Sequence, residues 1–136
     1  MNRRVLLTSL SGLGVLAASH PAFAADADAD GEDCADTCAD CAEECTECAD
    51  HCIDMLAQGM PMKDCLKTCL DCADICSTCA KICARKGPLT ATITAACAAA
   101  CEKCAAHCEQ HKDHKVMADC AEQCRKCAKE CRAMAK

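Results

Sequence analysis

Aromatic side chains are almost absent from this chain of 136 residues, which has no Trp, no Tyr and only Phe23. Without rings on which bases stack, and with a formal net charge of −6, the chain is not expected to bind nucleic acid. Its five Gly residues form no phosphate-binding loop, and its length allows about one domain. We therefore expect no nucleotide chemistry, no substrate cleft between domains and no enzymatic activity.

Large aliphatic residues are also scarce, whereas 20 residues are Cys. An ordinary domain of this length needs many more Leu, Ile and Val side chains to fill its core. The sequence therefore predicts either an interior made of Ala and Cys, or a chain that is disordered until it binds a ligand.

The first 24 residues have the plan of a secretory signal peptide. Arg3 and Arg4 precede a mildly apolar run, and Ala22-Phe23-Ala24 is a small-x-small cleavage site. The paired arginines resemble a twin-arginine export signal. We expect residues 1–24 to be removed, residues 25–33 to form a disordered acidic tail, and the protein to be exported to the periplasm or another extracytoplasmic space. The apolar run is too short for a comfortable membrane span, and we expect no stable membrane insertion after signal cleavage.

The cysteines fall into four groups, and the steps within each group alternate strictly between four and three residues. The mean step of 3.5 is the repeat of helices packed in a left-handed bundle, so one face of each helix carries only Cys. The four groups are Cys34, Cys38, Cys41, Cys45, Cys48 and Cys52; Cys65, Cys69, Cys72, Cys76, Cys79 and Cys83; Cys97, Cys101, Cys104 and Cys108; and Cys120, Cys124, Cys127 and Cys131.

Helix-breaking residues separate the groups. Gly59 and Pro61 lie between the first two groups, Gly87 and Pro88 follow the second, and Asp113 can cap the last helix. Short loops make neighbouring helices antiparallel. The sequence thus predicts an all-α, up-down-up-down four-helix bundle with a Cys-lined core over residues 34–136, with helices at about 33–58, 62–86, 89–111 and 114–135.

Rows of thiols along the inward faces of four helices favour a soft, monovalent metal ion. Thiolates select Cu(I), and each Cu(I) that replaces a thiol proton leaves the core neutral. Five isolated zinc tetrathiolates would instead leave a core charge of about −10. We expect multiple Cu(I) ions per chain, bound by all twenty Cys. A thiol redox or disulfide protein, and a zinc or toxic-metal buffer, remain alternatives.

From Cys34 to Cys131 the repeated C-x3-C pairs, the four segments and the exported start resemble the copper storage proteins, in particular their exported branch. The resemblance implies reversible Cu(I) storage with C-x3-C pairs as the main sites, and assembly as a homotetramer. A copper-requiring recipient protein would then take the stored ions.

Met and His residues continue the Cys register at one end of the bundle. Four lie three residues from the terminal Cys of a group: Met55, Met62, His111 and Met117. Four more lie near the same end: His51, His107, Met60 and His114. Thioethers and imidazoles are soft or borderline ligands, so we expect a mouth for copper uptake and release there. Packing of Met at the end of a core is the alternative. At the opposite end we expect a plug of Leu89, Ile93, Thr90 and Thr94.

Overall fold

The protein is a bundle of four α-helices. The structure, a computed structural model, describes residues 26–136, among which there is no strand. The helices are α1 (Asp26–Ala57), α2 (Lys63–Ala84), α3 (Thr90–Cys108) and α4 (Lys115–Met134), and a 3-10 turn (Glu109–His111) continues α3. The predicted all-α four-helix fold is confirmed.

Each helix packs against two others, in the cyclic order α1, α2, α3, α4. The diagonal pair α1 and α3 meets through sulfur atoms, which pair in ascending order along both helices: Cys38 with Cys97, and Cys48 with Cys108. These two helices are therefore parallel. Along α4 the partners of α1 descend, from Cys131 opposite Cys34 to Cys120 opposite Cys45, so α1 and α4 are antiparallel. This is the up-down-up-down arrangement.

Cys and Ala fill the interior. All twenty Cys are buried, and no Leu, Ile or Val among the described residues is. The remaining buried hydrophobic residues are seven Ala and two Met: Ala35, Ala49, Ala73, Ala98, Ala105, Ala121, Ala128, Met62 and Met117. These small Ala side chains flank the Cys stripes and let the helices approach closely. The composition allows either an interior of Ala and Cys or a chain that is disordered until it binds a ligand. The structure has the packed interior.

The helix boundaries differ from the predicted ones mainly at α1. This helix begins at Asp26, so the segment 26–33 is helical and not the disordered tail that was predicted. The segment alternates Asp with Ala, the best helix former, and acidic residues near a helix N-terminus are stabilised by the helix dipole. The predicted third helix ends earlier, because residues 109–111 form the 3-10 turn. The predicted signal peptide lies outside the described residues.

The surface of the described part of the chain carries charged side chains and a few large apolar ones. Arg125 makes a bidentate ion pair with Glu109, with both N–O distances at 2.9 Å, which ties α4 to the end of α3. Among the residues whose burial the structure describes, Ile53, Leu70 and Leu89 are the exposed large hydrophobic ones. Within residues 26–136, no helix combines the length and the apolar character needed to cross a membrane.

Gly59 ends the first helix in a left-handed conformation. Its φ is +84°, and its amide donates a hydrogen bond to the Leu56 carbonyl at 3.0 Å. A Cβ atom there would meet nothing within 4 Å. The cost of a side chain at Gly59 is therefore confined to the backbone, since L residues are strained at such a φ.

We expect Gly59→Ala to lower the free energy of unfolding by about 1 kcal/mol. Gly31→Ala is the matched control, because Gly31 lies inside α1 and a Cβ atom there also meets nothing within 4 Å. Ala is the better helix former, so this control should raise the free energy of unfolding by about 0.5–1 kcal/mol. Urea unfolding of the reduced apo protein, followed by circular dichroism, measures both. Equal effects of the two substitutions would contradict the assignment of the cost to φ.

Candidate metal site

The candidate site is the whole core. The alternating steps of four and three residues keep every Cys on the inward face of its helix, and all twenty are free thiols. Eighteen of them have no solvent exposure. The exceptions are Cys65, with 4% exposure, and Cys83, with 1%. The structure therefore brings all twenty predicted site cysteines together in one buried region.

The sulfur atoms form a continuous ladder along the bundle axis. The shortest Sγ–Sγ distances, 3.5 Å, join different helices: Cys38 to Cys131, Cys69 to Cys48, and Cys76 to both Cys97 and Cys101. Between these, distances of 3.6–4.0 Å connect each level to the next, as from Cys45 to Cys124 (3.6 Å) and from Cys72 to Cys76 (3.9 Å). An ion bound anywhere on the ladder thus has further thiols within reach.

Four-thiol sets overlap along this ladder. Cys41 and Cys72 belong to two sets whose sulfur atoms lie within 4.8 Å of one another, one completed by Cys76 and Cys101 and one by Cys45 and Cys124. Further sets are Cys45, Cys104, Cys120 and Cys124; Cys48, Cys65, Cys69 and Cys108; and Cys38, Cys79, Cys97 and Cys131. Isolated tetrahedral zinc sites would compete for the shared sulfurs, whereas bridging thiolates can hold a chain of ions.

The core has no charge of its own to balance a metal ion. The only buried polar residues besides Cys are Thr37 and Thr94, and no Lys, Arg, Asp or Glu among the described residues is buried. Burial, followed by the repulsion of Cys65, raises the pKa of Cys52 to about 12, and burial likewise raises the pKa of Cys83 above its usual 9.0. These two thiols are therefore protonated and neutral near pH 7.

Two of the predicted Met ligands extend the ladder at the end formed by the α1–α2 and α3–α4 loops. Met62 and Met117 have no solvent exposure, and the thiol of Cys48 donates a hydrogen bond to Sδ of Met117 at 3.3 Å. The thioether of Met117 is thus continuous with the thiols. We call this end of the bundle the mouth.

The other predicted mouth residues are half-buried: Met55, Met60, His51, His107, His111 and His114. The rings of His51 and His114 lie 5.2 Å apart between centroids. Nε2 of His51 is buried and has no hydrogen-bond partner among the described residues. Nε2 of His114 lies 3.7 Å from the carboxylate of Asp113. The structure therefore brings these two imidazoles, one from α1 and one from the loop before α4, together at the mouth.

The opposite end, where α2 turns into α3, is not plugged as predicted. Leu89 is 60% exposed, so its side chain does not cover the core, although Thr94 is completely buried and Ile93 partly. A cavity of about 440 Å³ lies at this end and reaches Cys83. Sequence reasoning missed this cavity.

Comparison with known proteins gives one consistent result. The family model described as "Csp: Copper storage protein" matches residues 27–136. The structure of Cu(I)-bound copper storage protein BsCsp3 is 34% identical, with 79% of this chain and 99% of that chain covered and a TM-score of 0.73. No curated protein sequence matches the chain.

Two similar structures come from Streptomyces lividans. A cytosolic copper storage protein with five coppers is 32% identical, over 80% of this chain and 95% of that chain, with a TM-score of 0.72. The copper storage protein Ccsp loaded with 10 copper equivalents is 31% identical, over 86% and 92% of the two chains, with a TM-score of 0.73.

The predicted export is corrected by these relatives. The Streptomyces lividans protein is described as cytosolic, so the assignment to an exported branch, with a periplasmic or extracytoplasmic location, is wrong. That prediction rested on the composition of residues 1–24, where a short apolar run after two arginines is a weak signal. The family itself is shown by both the match over residues 27–136 and the three structures. This chain belongs to the copper storage protein family.

Proposed function

We propose that this protein stores Cu(I) by binding many ions reversibly to its twenty cysteines, and that it catalyses no reaction. The observation that carries the proposal is the continuous ladder of buried thiols, in which sulfurs on different helices lie as close as 3.5 Å. Soft thiolates select Cu(I), and the ladder offers many equivalent positions along one axis. The Cu(I)-bound structures of relatives support the choice of metal.

Charge favours a monovalent cargo over zinc. A Cu(I) ion that displaces one thiol proton leaves the net charge of the core unchanged, whereas each zinc tetrathiolate adds two negative charges. No buried Lys or Arg in the described part of the chain would balance such charges. Cu(I) can therefore fill the ladder without a growing electrostatic penalty, from the protonated apo protein to the loaded one.

We also propose that copper passes through the mouth. Met62 and Met117 would receive the ion, since neutral thioethers hold Cu(I) more weakly than thiolates and can pass it on. The contact of 3.3 Å between Met117 Sδ and Cys48 Sγ supports a direct transfer to the first thiol. His51 and His114, with the unpartnered Nε2 of His51, would assist at the rim, together with Met55, Met60, His107 and His111.

The double substitution Met62→Leu and Met117→Leu tests this mouth. Leu has nearly the volume of Met, so packing should change by less than about 1.5 kcal/mol per site, while the thioethers are lost. We expect the rate of Cu(I) loading to fall about threefold at unchanged capacity, because the thiolate sites remain. Met134→Leu, also on α4 but at the other end, is the matched control and should load normally. A fall in capacity with no change in rate would contradict a transfer role.

Assembly and delivery are further parts of the proposal. We propose a homotetramer, and a copper-requiring recipient protein that takes the stored ions. Ile53 on α1 and Leu70 on α2, which are 53% and 49% exposed, are apolar side chains that a second copy would cover. Sedimentation equilibrium of the apo and loaded forms measures the assembly. A monomer in both forms would contradict it.

An anaerobic Cu(I) titration of the reduced protein against a competing chelator tests the storage function. We expect more than about ten Cu(I) per chain, since twenty thiols are available and bridging allows up to one ion per thiol. Circular dichroism should show nearly constant helicity, because protonated thiols pack the interior as small apolar groups before copper binds. Uptake of only one or two ions would contradict storage, and preference for zinc at equal concentration would favour the zinc-buffer alternative.

A further inference from the structure

The two cysteine residues with any solvent exposure lie at opposite ends of the bundle. Cys65, with 4% exposure, is the first Cys of α2 and lies beside the mouth. Cys83, with 1% exposure, is the last Cys of α2, next to the turn into α3. The eighteen others are completely shielded. The thiol ladder therefore comes closest to solvent at two points, and only one of them belongs to the mouth.

A cavity lies beside Cys83, between the start of α1 and the end of α2. Its volume is about 440 Å³, and its lining residues are Glu32, Ala35, Asp36, Cys83, Ala84 and Lys86. Ala35 and Ala84 carry only a methyl group, and these small side chains line the cavity together with Cys83. Leu89, the one large apolar residue of the adjoining turn, points into solvent with 60% exposure.

The lining offers one soft donor residue to a copper-carrying ligand. It carries the carboxylates of Glu32 and Asp36 and the ammonium of Lys86, and its only sulfur-containing residue is Cys83. We propose that this cavity is a second port, through which Cu(I) carried by a low-molecular-weight thiol reaches and leaves the ladder at Cys83. This port rests on the proposed storage of copper, since it serves the same ladder.

The path inward from Cys83 is short. Its Sγ lies 3.8 Å from Sγ of Cys79, four residues earlier on the same helix. Cys79 in turn belongs to a four-thiol set, completed by Cys38, Cys97 and Cys131, whose sulfurs lie within 4.8 Å of one another. A Cu(I) ion can thus pass from Cys83 directly to Cys79, which is a member of this four-thiol set.

The transfer step is a ligand exchange without a change of oxidation state. A bond forms between Cu(I) and the sulfur of Cys83, and the bond between Cu(I) and one carrier thiolate breaks. The proton that Cys83 loses goes to the released carrier thiolate, so charge and protons balance. Release of copper from the ladder is the reverse step. Cys83 lines the cavity, so the exchange takes place at the end of the ladder nearest to solvent.

Access to Cys83 is measured first, in the reduced apo protein without copper. With limiting iodoacetamide and peptide mapping by mass spectrometry, we expect Cys83 to be alkylated at least about tenfold faster than the mid-core Cys41, because only accessible thiols react without opening of the bundle. Ala84 is exposed and lines the cavity, so Ala84→Leu should slow the alkylation of Cys83 at least about fivefold. The alkylation rate of Cys65 should not change. Ala39→Leu, an exposed α1 position outside the cavity, is the matched control. Alkylation of Cys83 at the rate of Cys41, or indifference to Ala84→Leu, would overturn the port.

Copper loading from the Cu(I)–glutathione complex is measured next. Ala84→Leu alone should slow loading by no more than about twofold, because the mouth stays open. In the Met62→Leu and Met117→Leu background it should slow loading by a further factor of about five, since both ports are then obstructed. Additive, equal effects in the two backgrounds would contradict a second route. If the wild-type protein takes up no copper, storage fails, while the alkylation result still decides whether the cavity gives access to Cys83.

Discussion

Full loading with Cu(I) should raise the thermal midpoint of the protein by at least about 20 °C relative to the reduced apo protein. A ligand that binds the folded state alone stabilises it by about 4 kcal/mol per site at a thousandfold excess over its Kd. For a domain of this size, 1 kcal/mol shifts the midpoint by about 4–8 °C. Two occupied sites that cross-link helices therefore suffice for a shift of this size.

The overlap of the four-thiol sets predicts how the shift develops. Because Cys41, Cys45 and Cys72 each belong to more than one set, early ions join α1 to α2, α3 and α4. The midpoint should rise steeply over the first few equivalents and then level off. Removal of copper with a chelator should restore the apo value. A linear rise over all equivalents would indicate independent sites, and an unchanged midpoint would show that copper binds at the surface.

Cys41→Ser provides a sharper form of the same experiment. A serine hydroxyl is a hard ligand that Cu(I) does not select, so the sets that share Cys41 lose a sulfur while the volume of the side chain hardly changes. We expect the initial rise of the thermal midpoint with added Cu(I) to become shallower. Cys83→Ser, at the end of the ladder, is the matched control and should leave the early rise unchanged.

The sequence predicts the core because the steps of four and three residues keep every Cys on the same face of its helix. In three helices the same register extends one step before the first Cys: Met62, Thr94 and Met117 each lie three residues before the first Cys of α2, α3 and α4, and all three have no exposure. Leu89 lies eight residues before Cys97, one place off the register, and is exposed. The prediction that Leu89 plugs this end was therefore wrong, because Leu89 is out of register with the Cys positions, whereas Thr94 is in register and buried.

The register is less reliable after the last Cys of a helix. Met55 and His111 each lie three residues beyond a terminal Cys, yet both are only half-buried. Helix α1 ends at Ala57, and His111 lies in a 3-10 turn, where each residue rotates further than in an α-helix. The 3-10 turn rotates His111 out of the register, and Met55 lies only two residues before the end of α1. The fully buried Met117 and Met62 are therefore the better ligand candidates of the mouth.

Two other features lie beyond what spacing can predict. The start of α1 at Asp26 depends on the balance between helix propensity and acidic repulsion in a segment without Cys or other core-facing residues. The cavity beside Cys83 depends on the sizes of Ala35 and Ala84, which belong to two helices whose relative position the sequence does not state. Both require the folded arrangement to be known.

Alkaline pH should unfold the apo protein well before it affects the copper-loaded one. Burial raises the pKa of Cys52 from the usual 9.0 to about 12, so in the folded state this thiol keeps its proton while the unfolded chain loses it. A group whose folded pKa is raised contributes its full stability below the unfolded pKa and loses it as the pH rises towards the folded pKa. The contribution of Cys52 to the stability of the apo protein should therefore be constant below pH 9 and fall between pH 9 and about 12.

The magnitude follows from the size of the shift. A difference from 9.0 to about 12 corresponds to a loss on the order of 4 kcal/mol from Cys52 alone, and Cys83, whose pKa burial also raises, adds to it. Urea midpoints at pH 8, 9, 10 and 11, measured anaerobically with a phosphine reductant, give the slope. Cys52→Ala should have a shallower slope than the wild type. The Cu(I)-loaded protein has no proton on its bound thiolates and should show little loss in this range. An equal slope in the loaded protein would contradict the exchange of one proton for each copper ion.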